Sequence, residues 1–327
     1  MEITAGGLLE IRITPADVGK RVSVRRSDGG PDGRPPFTDT VGVLTSWDRG
    51  VLTITRKGGE SVRIAESSLV AGKVVPAAPA RRRGPAASFE ELARVGARAW
   101  QPLESEPLGG WTLRAAGGFT RRANSVLALG DPGIPLGEAL ARVTAWYAER
   151  GLPPYVQGAT GAAGTQEVLL AELERRGWRR EVSAEVRTAA LAPLADTAAD
   201  TAAVRLSRTP DGEWLSRYGR VDDPDTARRV LEAGPSVWFA TVPGAAIGRL
   251  VVDGRWAGFA AVEVAPERRR EGLATAVMAA LAARALEEGA SAAWLQVEAG
   301  NAAARALYDG LGFAAHHAYH HYRQARP

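Results

Sequence analysis

The sequence predicts an α/β (α+β) protein: a mixed twisted sheet flanked by helices, arranged as two related blocks in tandem, with a small β-barrel in front. Three observations predict it. The first 76 residues carry only short alternating patterns, strands and helices alternate from Ser88 onward, and the strand–helix order of the middle block recurs in the last. The length of 327 residues suits two or three domains at roughly 150 residues each. Apolar residues make up 45% and charged residues 24%, an ordinary globular composition that argues against general disorder. There is no cysteine, which excludes disulfides, thiolate metal sites and a cysteine nucleophile. No run of about eighteen apolar residues is present, and the opening MEITAGGLLEIRITP lacks a basic stretch followed by an apolar core. A cytoplasmic protein is therefore expected.

In residues 1–76 the strand patterns are Val18–Arg25, Thr40–Trp47, Gly50–Thr55 and Ser61–Ile64, with tight turns at Asp48–Gly50 and Lys57–Gly59. Four or five such strands with one apolar face make a small antiparallel barrel. Asp28–Pro36 reads as a longer loop. Residues 77–87 mix proline, alanine and arginine without periodicity and read as a linker, with Arg81–Arg83 as solvated charges.

The middle block spans residues 88–193. Ser88 with Glu91 has the spacing of a capping box opening a helix. Trp111–Arg114 and Ser125–Leu129 read as strands. Ile134–Arg150 places Leu140, Val143, Trp146 and Tyr147 at helical spacing. Pro153–Gln157 is a short strand, Gln166–Arg176 a helix stopped by Gly177, and Glu181–Leu191 a closing strand. Residues 194–203 form a low-complexity joint. The last block, 204–327, gives a strand at Ser236–Val242 and a hairpin of Ile247–Val252 and Trp256–Val264 around Asp253-Gly254. A helix over Gly272–Glu288, a strand over Ala293–Val297, a helix over Asn301–Asp309 and a strand over Phe313–Arg323 complete it. Aligning Gly177-Trp178 with Gly312-Phe313 sets Gln166 opposite Asn301 and Leu173 opposite Tyr308, so the middle block lacks polar groups that the last block has.

Chemistry concentrates between Val262 and Thr275. A strand ends near Val264, a basic turn follows, and Gly272 leads into a helix. Such a turn aims backbone amides at an anion, and glycine permits close approach. Read alone, the turn is better taken as an exposed basic turn before an ordinary helix. The spacing of Arg269, Gly272 and Ala274, preceded by Val264-Ala-Pro266, resembles the pyrophosphate loop of the GNAT superfamily of N-acetyltransferases. A second GNAT motif follows as Asn301 to Tyr308 with Gly312-Phe313. The resemblance covers about Val204 to Arg323. The front barrel is similar to the Src-homology-3 kind, and barrel plus split body resemble a group of actinobacterial GNAT proteins with N-acetylglutamate-synthase-like or histone-acetyltransferase-like members.

The resemblance implies acetyl-CoA as co-substrate, no metal, and transfer of acetyl to a primary amine of a small molecule or protein by direct attack. Val262 and Val264 would pair with the pantetheine arm. The segment Arg269, Arg270, Glu271, Gly272, Leu273, Ala274 and Thr275 would hold the pyrophosphate, and Asn301 would contact the arm. Tyr308 would protonate the leaving thiolate, since aminolysis of a thioester needs a neutral amine, a stabilised oxyanion and an acid for sulfur. The general base stays open. Gln296 stands where some family members carry glutamate, leaving Glu263 (the choice for a catalytic role), Glu298, a water chain, or an amine of lowered pKa.

Other constellations are read as structure. His316, His317, His320 and His321 fall on a strand, where alternation splits them between faces and favours surface and core-edge packing over a metal site. The tryptophans are spread over separate elements and default to core, with Trp111 and Trp256 as candidate groove residues. The net charge is +4, and lysine occurs only at Lys20, Lys57 and Lys73, so nearly every basic residue is arginine. Charges of both signs are interleaved, which makes nucleic-acid binding the weakest of three readings. The second is a non-catalytic acyl-CoA-binding regulatory protein, which the missing carboxylate at Gln296 favours and Tyr308 opposes. Arginine is so widespread that the acceptor amine is not identified by composition.

Overall fold

In a computed structural model of the chain, residues 10–28, 37–76, 84–220 and 223–324 are described. The expected opening at residues 1–9, most of the Asp28–Pro36 loop and the Arg81–Arg83 part of the linker lie outside them. The chain divides into two compact units, Met1–Ala80 with Gly158–Trp178, and Arg81–Gln157 with Arg179–Pro327.

The first unit holds a five-stranded antiparallel sheet. Its strands are β1 (Arg21–Ser27), β2 (Phe37–Asp48), β3 (Val51–Thr55), β4 (Ser61–Ala65) and β5 (Leu69–Val74), ordered β4-β3-β2-β1-β5. Period-two alternation puts Val22, Val24, Leu44, Leu52, Ile54 and Ile64 on one face, where they close a core with Ile13. Arg49 and Gly50 both take positive φ and supply the tight β2–β3 turn. The sequence reading missed β5 because its buried position is Gly72, backed by Ile13, and carries no apolar side chain.

The rest of the chain runs α1 (Phe89–Ala99), β6 (Glu104–Leu108), β7 (Trp111–Ala115), β8 (Val126–Ala128), α2 (Leu136–Ala148), β9 (Tyr155–Thr160), α3 (Glu167–Arg175) and β10 (Trp178–Ala190). It continues α4 (Ala192–Ala195), β11 (Arg205–Ser207), α5 (Gly212–Tyr218), α6 (Pro224–Glu232), β12 (Ser236–Val242), β13 (Ala246–Asp253) and β14 (Trp256–Val264). It ends with α7 (Leu273–Glu287), β15 (Ala292–Glu298), α8 (Ala302–Gly310) and β16 (Ala314–Gln324). Within the first unit, α3 packs on β2, and Thr160 Oγ1 donates to the Lys57 carbonyl at 2.9 Å.

The large sheet is ordered β11-β12-β13-β14-β15-β10-β16-β9-β8-β7-β6. Its two ends are related. Antiparallel β7–β8 followed by parallel β8–β9 matches antiparallel β13–β14 followed by parallel β14–β15. The closing strands are exchanged: β10 lies beside β15 and β16 beside β9. The repeat read from the sequence is thus one continuous sheet whose halves trade their last strands. On the C-terminal side, Leu250, Phe259, Val277, Leu281, Leu295 and Phe313 form a shared core. Helix α7 lies close on β13 because Gly248 has no side chain; a Cβ there would stand 2.5 Å from Val277 Cγ1.

Ser88 Oγ accepts from the Glu91 amide at 3.0 Å, as the spacing predicts, and the Glu91 carboxylate, which the Ser88 backbone also helps to hold ionised, additionally takes Arg255 at 2.7 Å and Trp256 Nε1 at 2.8 Å. Several expectations need correction. Leu194 is buried in the C-terminal core rather than idling in a joint. Helices α5 and α6 were not read, since both are short and α6 spends two of its nine positions on arginine. Of the histidines on β16, His317, His320 and His321 are buried, not at the surface. His316 and His317 meet through their Nδ1 atoms at 2.8 Å, and His320 Nδ1 meets Ser183 Oγ at 2.8 Å. Trp111 and Trp256 are core, their N–H groups given to the Gly130 carbonyl and to Glu91. Among the described residues no group could hold a metal ion, and no helix is long and apolar enough to cross a membrane.

The Gly248–Val277 contact is testable. Gly248→Ala should destabilise the protein by roughly 1–3 kcal/mol through overpacking, read from the urea midpoint; an unchanged midpoint would show that α7 can move off the sheet freely.

Candidate active site

The site begins with a fault in the sheet. β13 and β14 pair Arg249 with Ala260 and then Ile247 with Glu263, so Ala261 and Val262 stand opposite Gly248 alone. Ala261 takes φ 51, unusual for a residue with a Cβ. Such a bulge bends its strand. On the other edge, β14 pairs in parallel with β15 from Trp256–Ala292 to Phe259–Leu295 and no farther. β15 instead continues along β10, with Gln296 opposite Val186 and Glu298 opposite Ala184. The strands therefore part beyond Phe259, and a cavity of about 950 Å³ opens there. Its walls are β14 from Gly258 to Val264, the basic turn, the start of α7, the end of β15 and one face of α8.

Past Val264 the chain makes a 3-10 turn at Pro266–Arg268, and then Arg270 and Gly272 both adopt the left-handed region, at φ 71 and 79. Helix α7 starts with no side-chain cap, leaving its first amides and the positive end of its dipole toward the cavity. Positive φ, not crowding, calls for glycine at 272: nothing lies within 4 Å of where its Cβ would be. Arg269, Arg270, Leu273, Ala274 and Thr275 line the cavity. Glu271 is not among the lining residues; its carboxylate pairs at 2.8 Å with Arg268, which does line the cavity.

Asn301 caps α8, its Oδ1 accepting from the Ala304 amide at 3.0 Å. Tyr308 follows seven residues later, close to two turns, so both side chains lie on the cavity face of one helix. The middle block keeps the echo: Gln166 stands before α3 as Asn301 stands before α8, but its Oε1 is engaged by the Ala159 amide at 2.7 Å. Tyr308 is half-buried against Phe313, and burial pushes its hydroxyl up to about 12. That hydroxyl makes no hydrogen bond to another described residue. Glu263 also lines the cavity, 3.0 Å from the Arg220 guanidinium. Burial raises its carboxyl above the ordinary value, outweighing the downward pull of Arg220 and Arg217. Gln296 and Glu298 line the same space, with Glu298 exposed.

The structure thus brings together the candidate cofactor, acid and base residues except the Glu271 side chain, and leaves out Trp111 and Trp256, the candidate groove residues. It adds Trp100, Arg122, Tyr218 and Arg249, which sequence reasoning missed. These come from the end of α1, a loop of the middle block, α5 and β13, and no local spacing links them.

Comparison with known proteins gives a consistent result. The family described as "Probable histone acetyltransferase Rv0428c C-terminal" matches residues 87–322. A protein named probable histone acetyltransferase Rv0428c, from Mycobacterium tuberculosis, is 31% identical over 307 residues, covering 92% of this chain and 93% of that one. Among solved structures, a GCN5-related N-acetyltransferase from Kribbella flavida aligns with a TM-score of 0.54 at 17% identity, covering 74% of this chain and 98% of its own. A tandem GNAT protein from the clavulanic acid biosynthesis pathway gives 0.50 at 16% identity, covering 75% and 91%.

The buried phenol makes a pH prediction. Tyr308 holds its proton more tightly folded than unfolded, so its contribution to stability is full below about pH 10 and is lost as pH rises toward 12. Tyr308→Phe should therefore lose less stability than the parent between these limits. Urea midpoints measured through that range would refute the burial of the hydroxyl if both proteins declined in parallel.

Proposed function

The chain belongs to the GNAT N-acetyltransferases, in the family of the Rv0428c C-terminal region, and from that premise we propose that it moves the acetyl group of acetyl-CoA directly to a primary amine. The observation that carries the reading is the opening between β14 and β15, into which a glycine-led, uncapped helix start and a proton-bearing tyrosine both face.

The residues fit the co-substrate. The amides around Arg270–Thr275 offer a diphosphate a nest at the positive end of α7, with Arg269 and Arg270 adding charge. Neither arginine makes an ion pair among the described residues, so both are available to phosphate. Beyond Phe259 the edge of β14 facing β15 has no strand opposite, and an extended pantetheine arm can pair with it at Val262 and Val264 as an added strand. Asn301 keeps its Nδ2 for the arm while Oδ1 caps the helix.

In the transfer, the amine nitrogen bonds to the thioester carbonyl carbon and the C–S bond breaks. The nitrogen gives up one proton and the sulfur takes one. Tyr308 supplies the sulfur's proton: with its hydroxyl pushed up to about 12, it is fully protonated at neutral pH. Glu263 takes the nitrogen's proton. Its raised pKa makes it a better base than an exposed carboxylate, and it lies on the bulged stretch of β14.

Two variants test this. Gly272→Glu sets a like charge in the anion nest and forces a side chain into positive φ, and should weaken acetyl-CoA binding at least tenfold, about 1.4 kcal/mol; unchanged affinity by isothermal titration would remove the loop from the cofactor site. Tyr308→Phe should lower turnover by roughly 10²–10⁴-fold with acetyl-CoA affinity nearly unchanged, and equal turnover would strip Tyr308 of the acid role.

A further inference from the structure

One end of the cavity is built from charges that acetyl transfer does not require. We propose that Arg122 and Arg249, whose guanidiniums both lie close to the Trp100 ring, receive a carboxylate of the acceptor, so that the acceptor class is a small amino acid-like amine rather than a basic peptide. This deepens the acetyltransferase reading and rests on it.

Arg249 is wholly buried on β13. Its Nε donates to the Leu231 carbonyl at 2.7 Å, and Nη2 to the Ala99 and Ala233 carbonyls at 3.0 Å each. Its Nη1 is buried with no partner, and the residue lines the cavity. No carboxylate among the described residues pairs with it. An unpaired buried charge is costly, and here burial pulls the guanidinium down to about 9, still charged at neutral pH. Its guanidinium carbon lies 4.7 Å from the centre of the Trp100 ring, and that of Arg122 lies 5.5 Å from the same ring. Arg122 gives Nε to Tyr319 Oη at 3.1 Å and has no carboxylate partner among the described residues. The indole offsets part of the repulsion but carries no negative charge.

Charge at this end is lopsided. Arg122, Arg220 and Arg249 stand against Glu263, which Arg220 already pairs at 3.0 Å. The Arg220 guanidinium carbon lies 5.5 Å from the centre of the Tyr218 ring, which lines the same cavity. The arrangement has a direction. Glu263 attracts the ammonium form of the amine, which sheds one proton to solvent before it attacks, and then takes the proton released in the transfer, while the guanidiniums beside Trp100 accept an anion. A zwitterion matches both ends, whereas a lysine-rich segment would bring more positive charge to the arginine end.

The test uses the full chain with saturating acetyl-CoA. Free L-amino acids are compared with their own carboxamides and with a lysine-rich basic peptide, by release of CoA. The best amino acid should exceed its carboxamide at least tenfold in kcat/KM. Arg122→Gln should collapse that ratio, and Arg122→Lys should restore part of it. A carboxamide or basic peptide turned over as well as the acid, or a ratio untouched in Arg122→Gln, overturns the proposal while leaving acetyl transfer standing. If acetyl-CoA binds but no amine turns over, acetyl transfer fails and calorimetry decides alone. Amino acid binding that Arg122→Gln weakens upholds the carboxylate site, and the absence of binding ends it.

Discussion

The parting of β14 from β15 is the constraint on which the rest of the site depends. Two neighbouring parallel strands keep their ladder unless something makes another path favourable. The bulge opposite Gly248 turns β14 away, while β15 stays paired on its other edge with β10 from Ala292 to Glu298. Beyond Phe259 the facing edges of β14 and β15 are therefore without a strand partner, in the place where an extended ligand can supply one to β14.

That arrangement couples the two halves of the large sheet. β10 is the closing strand of the middle block, yet it supports β15 of the last block, and β16 passes the other way to β9. A middle block without catalytic polar groups is therefore not idle. It provides the strand that holds β15 from its other edge along the cavity, and it places Trp100 and Arg122 in the cavity's wall. Arg187, buried on β10, strengthens the link by donating to the Phe313 carbonyl at 3.0 Å and pairing with Asp309 on α8.

Electrostatics then divides the cavity. At one side lie the uncapped amides of α7, its helix dipole, and Arg269 and Arg270, which make no ion pair among the described residues. At the other, guanidiniums lie close to an indole and to a single carboxylate. Tyr308 lines the same cavity, half-buried against Phe313, and desolvation keeps its proton in place. The same low-polarity surroundings act in opposite directions on the groups: they hold the tyrosine neutral, make Glu263 more basic, and leave Arg249 in need of an anion.

Local pattern determined a good deal by itself. Alternation located most strands of the front sheet, 3.6-residue spacing located α2 and α7, and the Arg269-Gly272-Ala274 and Asn301–Tyr308 spacings marked the loop and the helix that face the cavity, because each depends on neighbours in sequence. The strand exchange was not legible, since pairing between β10 and β15 leaves no trace in either strand's own alternation. Nor was the arginine cluster. Arginine is common throughout the chain, and only the fold brings Arg122, Arg220 and Arg249, from a loop, a helix end and a strand, around Trp100 and Tyr218. Charge in a sequence is a sum. Its sign at one end of a cavity is set by which side chains burial keeps from finding a counter-ion, and that is decided in three dimensions.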